Sequence, residues 1–102
     1  MSLKKQLLKS QRICRVTFKL PKEAVNSARK VNLVGEFNNW NTLATPMKRQ
    51  KNGAFSISLD LERGREYQFR YLIDEETWEN DWEADKYIPT PFGGSENSVL
   101  VL

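Results

Sequence analysis

The sequence predicts an all-β fold, an antiparallel β-sandwich built as one domain. Three stretches carry the prediction by two-residue alternation, the period of a half-buried strand. In "ICRVTFKL", Cys14, Val16, Phe18 and Leu20 share one face while Arg15, Thr17 and Lys19 share the other. In "AFSISLDL", Phe55, Ile57, Leu59 and Leu61 alternate with Ser56, Ser58 and Asp60. In "EYQFRYLID", Tyr67, Phe69, Tyr71 and Ile73 oppose Gln68, Arg70 and Leu72. Several short strands without a long helical period define a sandwich. A chain of 102 residues supports one compact core and not two.

The elements follow in order. Residues 1–11 are basic and polar, with Leu3, Leu7 and Leu8 near helical spacing, so a tail or short helix is expected before a domain at 12–102. Pro21 ends the first strand, and "PKEAVNSA" supplies a turn or a single helical turn. "KVNLVGEF" reads as a second strand stopped near Gly35. A long connection with Pro46 inside it runs to Asn52-Gly53, a strong turn signal. "ERGR" turns into the "EYQFRYLID" strand, and "DEETW" turns tightly back to Trp78. The segment "ENDWEADKYIPTPFGGSEN" reads as irregular, and "SVLVL" closes the sheet.

Composition narrows the function. Apolar residues make up 39% and charged residues 28%, ordinary for a water-exposed globular domain. No apolar run approaches the roughly 18 residues of a membrane span, and the start is too polar for a signal peptide. The cytoplasm is therefore the expected compartment, with no membrane partner. A single cysteine, Cys14, agrees with a reducing compartment; its inward register makes it an inert buried thiol. The absence of histidine excludes Ser–His and Cys–His nucleophile systems within the chain. Residues 1–51 hold 12 Lys/Arg and 2 Asp/Glu, whereas residues 52–102 hold 4 and 11. The cations are scattered over a tail, a strand and loops, so no nucleic-acid surface is expected.

The acidic stretch from Asp74 to Asp85 lacks the alternate ligands and central glycine of a calcium loop. Carboxylates for glycoside hydrolysis would have to face each other across a cleft, for which this sandwich leaves little room. A solvated turn region is the expectation, with no metal and no cofactor. Gly93 and Gly94 lack the Lys-Ser/Thr of a phosphate loop and serve a backbone turn.

The aromatics divide. Phe18, Phe55, Tyr67, Phe69 and Tyr71 fall on inward registers, whereas Trp40, Trp78 and Trp82 lie in or beside turns with polar neighbours. Phe37 is expected to fold back and anchor the loop before Trp40. Exposed rings are costly to leave wet unless they bind something. Rings stack on the C–H faces of sugars while polar groups take the hydroxyls. Arg70, on the outward face of a strand running into the Trp78 turn, is placed to join them. Trp82 is expected to pack under its loop.

"VNLVGEFNNWN", then "YQFRYLID", then "TW", then "PFGGSENSVLV" resembles the family-48 carbohydrate-binding module over roughly residues 12–102. That family includes the glycogen-binding domain of the AMP-activated protein kinase β subunit and the domain preceding the barrel of isoamylases, pullulanases and branching enzymes. The resemblance implies an immunoglobulin-like (early-set) sandwich, not an enzyme, that binds α-1,4-linked glucans such as glycogen, starch or maltooligosaccharides. It implies sugar stacking on Trp40 and Trp78, with Arg70 standing where the kinase-type module has a lysine. Phe92 takes the place of a leucine that pushes into the glucan. Gly94 and Glu96 replace a threonine and an asparagine, with Asn97 adjacent, and the turn before Trp78 is one residue longer. The carbohydrate-binding set implied is Trp40, Arg70, Trp78, Phe92, Glu96 and Asn97. The alternative is a scaffold or regulatory module that docks on a glucan-active enzyme or kinase, with the tryptophans as interface anchors.

Overall fold

The computed structural model describes residues 3–7, 12–25, 28–90 and 95–102. Two antiparallel sheets face each other. Strands β1 (Leu3–Leu7), β2 (Ile13–Leu20), β5 (Phe55–Glu62) and β4 (Lys48–Arg49) form one sheet in that order. Strands β3 (Val31–Gly35), β6 (Glu66–Ile73), β9 (Glu96–Val101) and β8 (Lys86–Pro89) form the other. The short β7 (Thr77–Glu79) pairs with β6 in the same sheet. Helix α1 (Lys22–Val25) is the single helical turn expected after Pro21.

The alternation read from the sequence is the alternation of burial. Val16, Phe18 and Leu20 of β2 are fully enclosed against Phe55 of β5 and Leu33, Phe69, Tyr71 and Leu100 of the opposite sheet. The Phe69 ring meets Phe18 at 5.2 Å and Tyr71 at 5.7 Å, both edge-on, the arrangement that aromatic quadrupoles favour. Phe37 joins this cluster 5.6 Å from Phe18, so the fold-back expected of it is what the structure shows.

Three expectations are corrected, all at short edge strands that carry no apolar alternation of their own. Residues 3–7, expected as tail or helix, form β1 along β2, with Leu3 opposite Phe18 and Leu7 opposite Cys14. A free helix of that length is marginal in water, whereas β2 offers a ready ladder and a buried seat for Leu3. Residues 86–89, read as irregular, pair with β9 as an edge strand that Pro89 ends. Lys48 and Arg49, inside the presumed connection, pair with Ser56 and Phe55.

Gly35 is required at the end of β3. A Cβ there would stand 2.6 Å from the Gln68 carbonyl oxygen, 2.7 Å from Phe69 Cβ and 2.9 Å from Phe37 Cζ. Two of these contacts are with the neighbouring strand and one with the ring that anchors the next loop. Gly35→Ala is therefore expected to cost about 2 kcal/mol, read as a lowered urea midpoint at unchanged slope. A midpoint equal to that of wild type would show that β3 and β6 separate freely here.

Candidate functional site

The loop after β3 is built to hold Trp40 in place. Glu36–Asn38 form a 3₁₀ turn. Asn38 staples it: Oδ1 accepts from the Gly35 N–H (3.1 Å), and Nδ2 donates to the Leu33 carbonyl (2.9 Å) and to Thr45 Oγ1 (3.0 Å). Trp40 N–H then donates back to the Gly35 carbonyl at 2.9 Å, and Asn39 N–H to the Glu36 carbonyl at 3.4 Å. This pair of bonds is the helix-ending pattern that places a left-handed residue at its close. Asn39 (φ 56°) and Trp40 (φ 57°) both adopt that conformation. Asparagine tolerates it; for tryptophan it is uncommon and costs about 1 kcal/mol.

Strand β6 supplies the floor. Gln68, Arg70 and Leu72 face away from the core, and Trp78 lies opposite Leu72 across the β6–β7 ladder. The turn between these strands puts Asp74 (φ 51°) and Glu75 (φ 62°) in the left-handed region, as tight hairpins demand. Asp74 Oδ1 also accepts the backbone N–H groups of Arg29 (2.8 Å) and Lys30 (3.0 Å), which ties the hairpin to the start of β3. Those bonds, Lys30's first, hold the Asp74 carboxyl below its usual range. Glu36 Oε1 accepts the Gln68 N–H at 2.7 Å, joining the Trp40 loop to β6.

The result is one groove of about 460 Å³, walled by Trp40 and Trp78 and floored by Gln68 and Arg70, with Glu36 and Asn97 also lining it. The two tryptophans are 39% and 45% exposed, a large apolar area left in water. Arg70 Nε is buried with no hydrogen-bond partner, and no carboxylate pairs with Arg70 among the described residues. A buried donor left unpaired carries a desolvation cost, which is tolerated most often at functional sites. Asn97 Nδ2 donates to Gln68 Oε1 at 2.9 Å, which orients both amides.

Of the expected site residues, the structure brings Trp40, Arg70, Trp78 and Asn97 to this groove. Glu96 does not line it. Successive side chains of a strand face opposite ways, and Glu96 lines an adjoining depression of about 300 Å³ with Glu79 and Asn80. Arg70 and Trp78 border both hollows. Phe92 and Gly94 lie outside the described residues. Trp82 does not pack under its loop: it is 54% exposed and lines neither hollow. Its neighbour Asp81 took the inward position instead. The sequence reading missed Glu36, Gln68, Thr90 and Ser95 in the groove. Gln68 had a legible signal, because it shares the strand parity of Arg70.

The acidic stretch is dispersed rather than clustered. Glu75 pairs with Lys30, and Asp85 with Lys5 at 2.7 Å. Asp81, expected in a solvated turn, is 1% exposed. No group of metal-ligating side chains forms among the described residues.

A β-sandwich that lines an open groove with two exposed tryptophans and an arginine in no ion pair among the described residues has the form of a carbohydrate-binding module. Comparison with known families makes this specific. Residues 24–88 match the family model for carbohydrate-binding module 48 (isoamylase N-terminal domain), and this chain belongs to that family. It is also similar to "Protein PTST homolog 2, chloroplastic" of Arabidopsis thaliana, 37% identical over 78 residues. Those residues are 76% of this chain and 13% of that relative's length. The family match spans Trp40, Arg70 and Trp78 and stops before Asn97.

Proposed function

We propose that the module binds linear α-1,4-linked glucan, the chain type of glycogen and starch, in the Trp40–Trp78 groove. The observation that carries this reading is the unpartnered, buried Arg70 Nε between two exposed indole walls. Glucose rings offer flat C–H faces to the indoles, and their hydroxyls supply the acceptors that Arg70 lacks. Gln68 and Asn97, already holding each other, present preset amides to further hydroxyls. The site is open and small, so micromolar to millimolar affinity is expected.

The module is read as non-catalytic. Hydrolysis of a glycosidic bond requires two carboxyl groups flanking it. Among the described residues Glu36 alone brings one to the groove, and it is engaged with the Gln68 N–H. A glucan-active enzyme or kinase is the proposed partner class, and the cytoplasm the proposed compartment on the strength of the free Cys14 thiol. The Arabidopsis relative's name places that protein in the chloroplast.

Affinity electrophoresis through gels containing glycogen tests the reading. The wild type should be retarded, and Arg70→Leu should lose most of that retardation. Arg70→Lys should keep part of it, because an ammonium retains the charge but not the planar donor fork. Equal mobility of wild type and Arg70→Leu would remove Arg70 from the site.

A further inference from the structure

The cations that look dispersed in the sequence are partly gathered by the fold. Lys19 on β2 and Lys48 on β4 both stand opposite Ser56 of β5, one on either side. Neighbouring strands lie about 4.8 Å apart, so the two lysines flank a single strand. Arg49, the next residue of β4, faces the other way, and with Lys22 and Lys51 it lines a groove of about 650 Å³, together with Glu23, Gln50 and Gly53. Among the described residues Glu23 is the one carboxylate that lines it. None of these five cations makes an ion pair among the described residues, whereas Lys5, Arg15, Lys30, Arg65 and Lys86 each find a carboxylate.

Arg49 is held in place. Its guanidinium lies 5.4 Å from the centre of the Phe55 ring and donates to the Ala28 carbonyl. The groove thus has one fixed fork beside two ammonium groups. Crowded like charges repel one another and oppose the compact state, a cost that an anionic partner offsets. The groove shares no residue with the tryptophan groove, so the two can be filled together.

The surroundings select among anions. Among the described residues no aromatic side chain lines the groove, so they supply no stacking platform of the kind used for single-stranded nucleic acid. Beside it runs β4, the edge of its sheet, paired with β5 on one side only. An edge strand offers main-chain donors and acceptors to an extended peptide. The geometry points to a docking groove for an acidic polypeptide segment in extended form, its carboxylates meeting Lys22, Arg49 and Lys51. The module then holds glucan in one groove and an acidic protein segment in another.

The test uses a fluorescein-labelled peptide of alternating Glu and Asp, followed by fluorescence anisotropy at low and high salt. Wild type should bind it in a salt-sensitive way. Lys22→Gln/Lys51→Gln should weaken binding about tenfold. Arg12→Gln/Arg63→Gln removes the same charge at the opposite end of the sheet, where Arg63 N–H bonds the Arg12 carbonyl, and should leave binding nearly unchanged. Binding of β-cyclodextrin should be the same in all three proteins, with or without peptide. Four results would overturn the assignment: no peptide binding by wild type; equal losses in both double variants; a single-stranded oligonucleotide of equal charge displacing the peptide; or a dimer in sedimentation velocity that Lys22→Gln/Lys51→Gln dissolves, which would put a second copy in the groove.

Discussion

Replacing Trp40 by glycine is expected to abolish glucan binding while leaving the melting temperature within about 3 °C of wild type. The two halves of this expectation have separate causes. Trp40 forms one wall of the groove, and a ring that anchors a binding site is worth about 2 kcal/mol or more, a loss of about thirtyfold or greater. Yet the same residue sits at φ 57°, where a side chain costs about 1 kcal/mol and glycine costs nothing. Glycine thus forfeits the partial packing of the indole and relieves the backbone. A local rule broken at a site, and compensated elsewhere, is the pattern expected of a functional residue. The compensation is visible in the Asn38 staple and in the Trp40 N–H bond to Gly35. A glycine variant that binds β-cyclodextrin as wild type does would separate the strained loop from the function.

Asp81→Ala is expected to have the largest effect on stability, about 3 kcal/mol, which for a domain of this size lowers the melting temperature by about 15 °C. Asp81 Oδ2 accepts from the Tyr71 hydroxyl at 2.6 Å, and Oδ1 from the Glu83 N–H at 2.8 Å. Its own N–H donates to Ser98 Oγ at 2.8 Å, and its carbonyl accepts from the Tyr87 hydroxyl. Ser98 Oγ passes the network on to Asn80 Oδ1 at 2.8 Å. Removing the carboxylate leaves the Tyr71 hydroxyl buried without its partner, which is why the cost exceeds that of an ordinary hydrogen bond. Adding Tyr71→Phe to Asp81→Ala should recover part of the loss, and the double-mutant cycle gives the coupling. A drop of less than about 1 kcal/mol for Asp81→Ala would mean that water replaces the carboxylate.

The same pair sets the alkaline behaviour. Burial first, then the Asp81 charge, pushes the Tyr71 phenol well above its ordinary range. Its folded pKa lies above the unfolded value of about 10. The neutral phenol's contribution is therefore complete below that pH and is lost as pH rises through the folded value. Thermal melts between neutral pH and pH 11 or so should show wild type losing more stability than Tyr71→Phe.

How much could be read in the sequence follows from how local each cause is. β2, β5 and the core half of β6 declare themselves because their own alternation fixes both pairing and burial. β1 and β8 do not, because Leu3 finds its seat only beside Phe18, and Ile88 its register only beside Asn97. The site divides the same way. The turn setting of Trp40 and the parity of Arg70 are local signals, and both point outward. That Asn97 enters the groove while Glu96 faces another hollow depends on where β9 lies against β6, with Phe69 opposite Ser98. Asp81 looks like one more solvent acid among seven, and only Tyr71 and Ser98, from two distant strands, make it the keystone of that region. With the inward place next to it taken by Asp81, Trp82 is left outside, against the packing expected of it.

The central claim is that Trp40 and Trp78 together face a glucose chain. The most direct measurement titrates maltoheptaose into ¹⁵N-labelled protein and follows the three indole N–H signals. The Trp40 and Trp78 signals should move together, along one saturation curve, while that of Trp82 stays in place. Three stationary signals, or a shift confined to Trp82, would contradict the account.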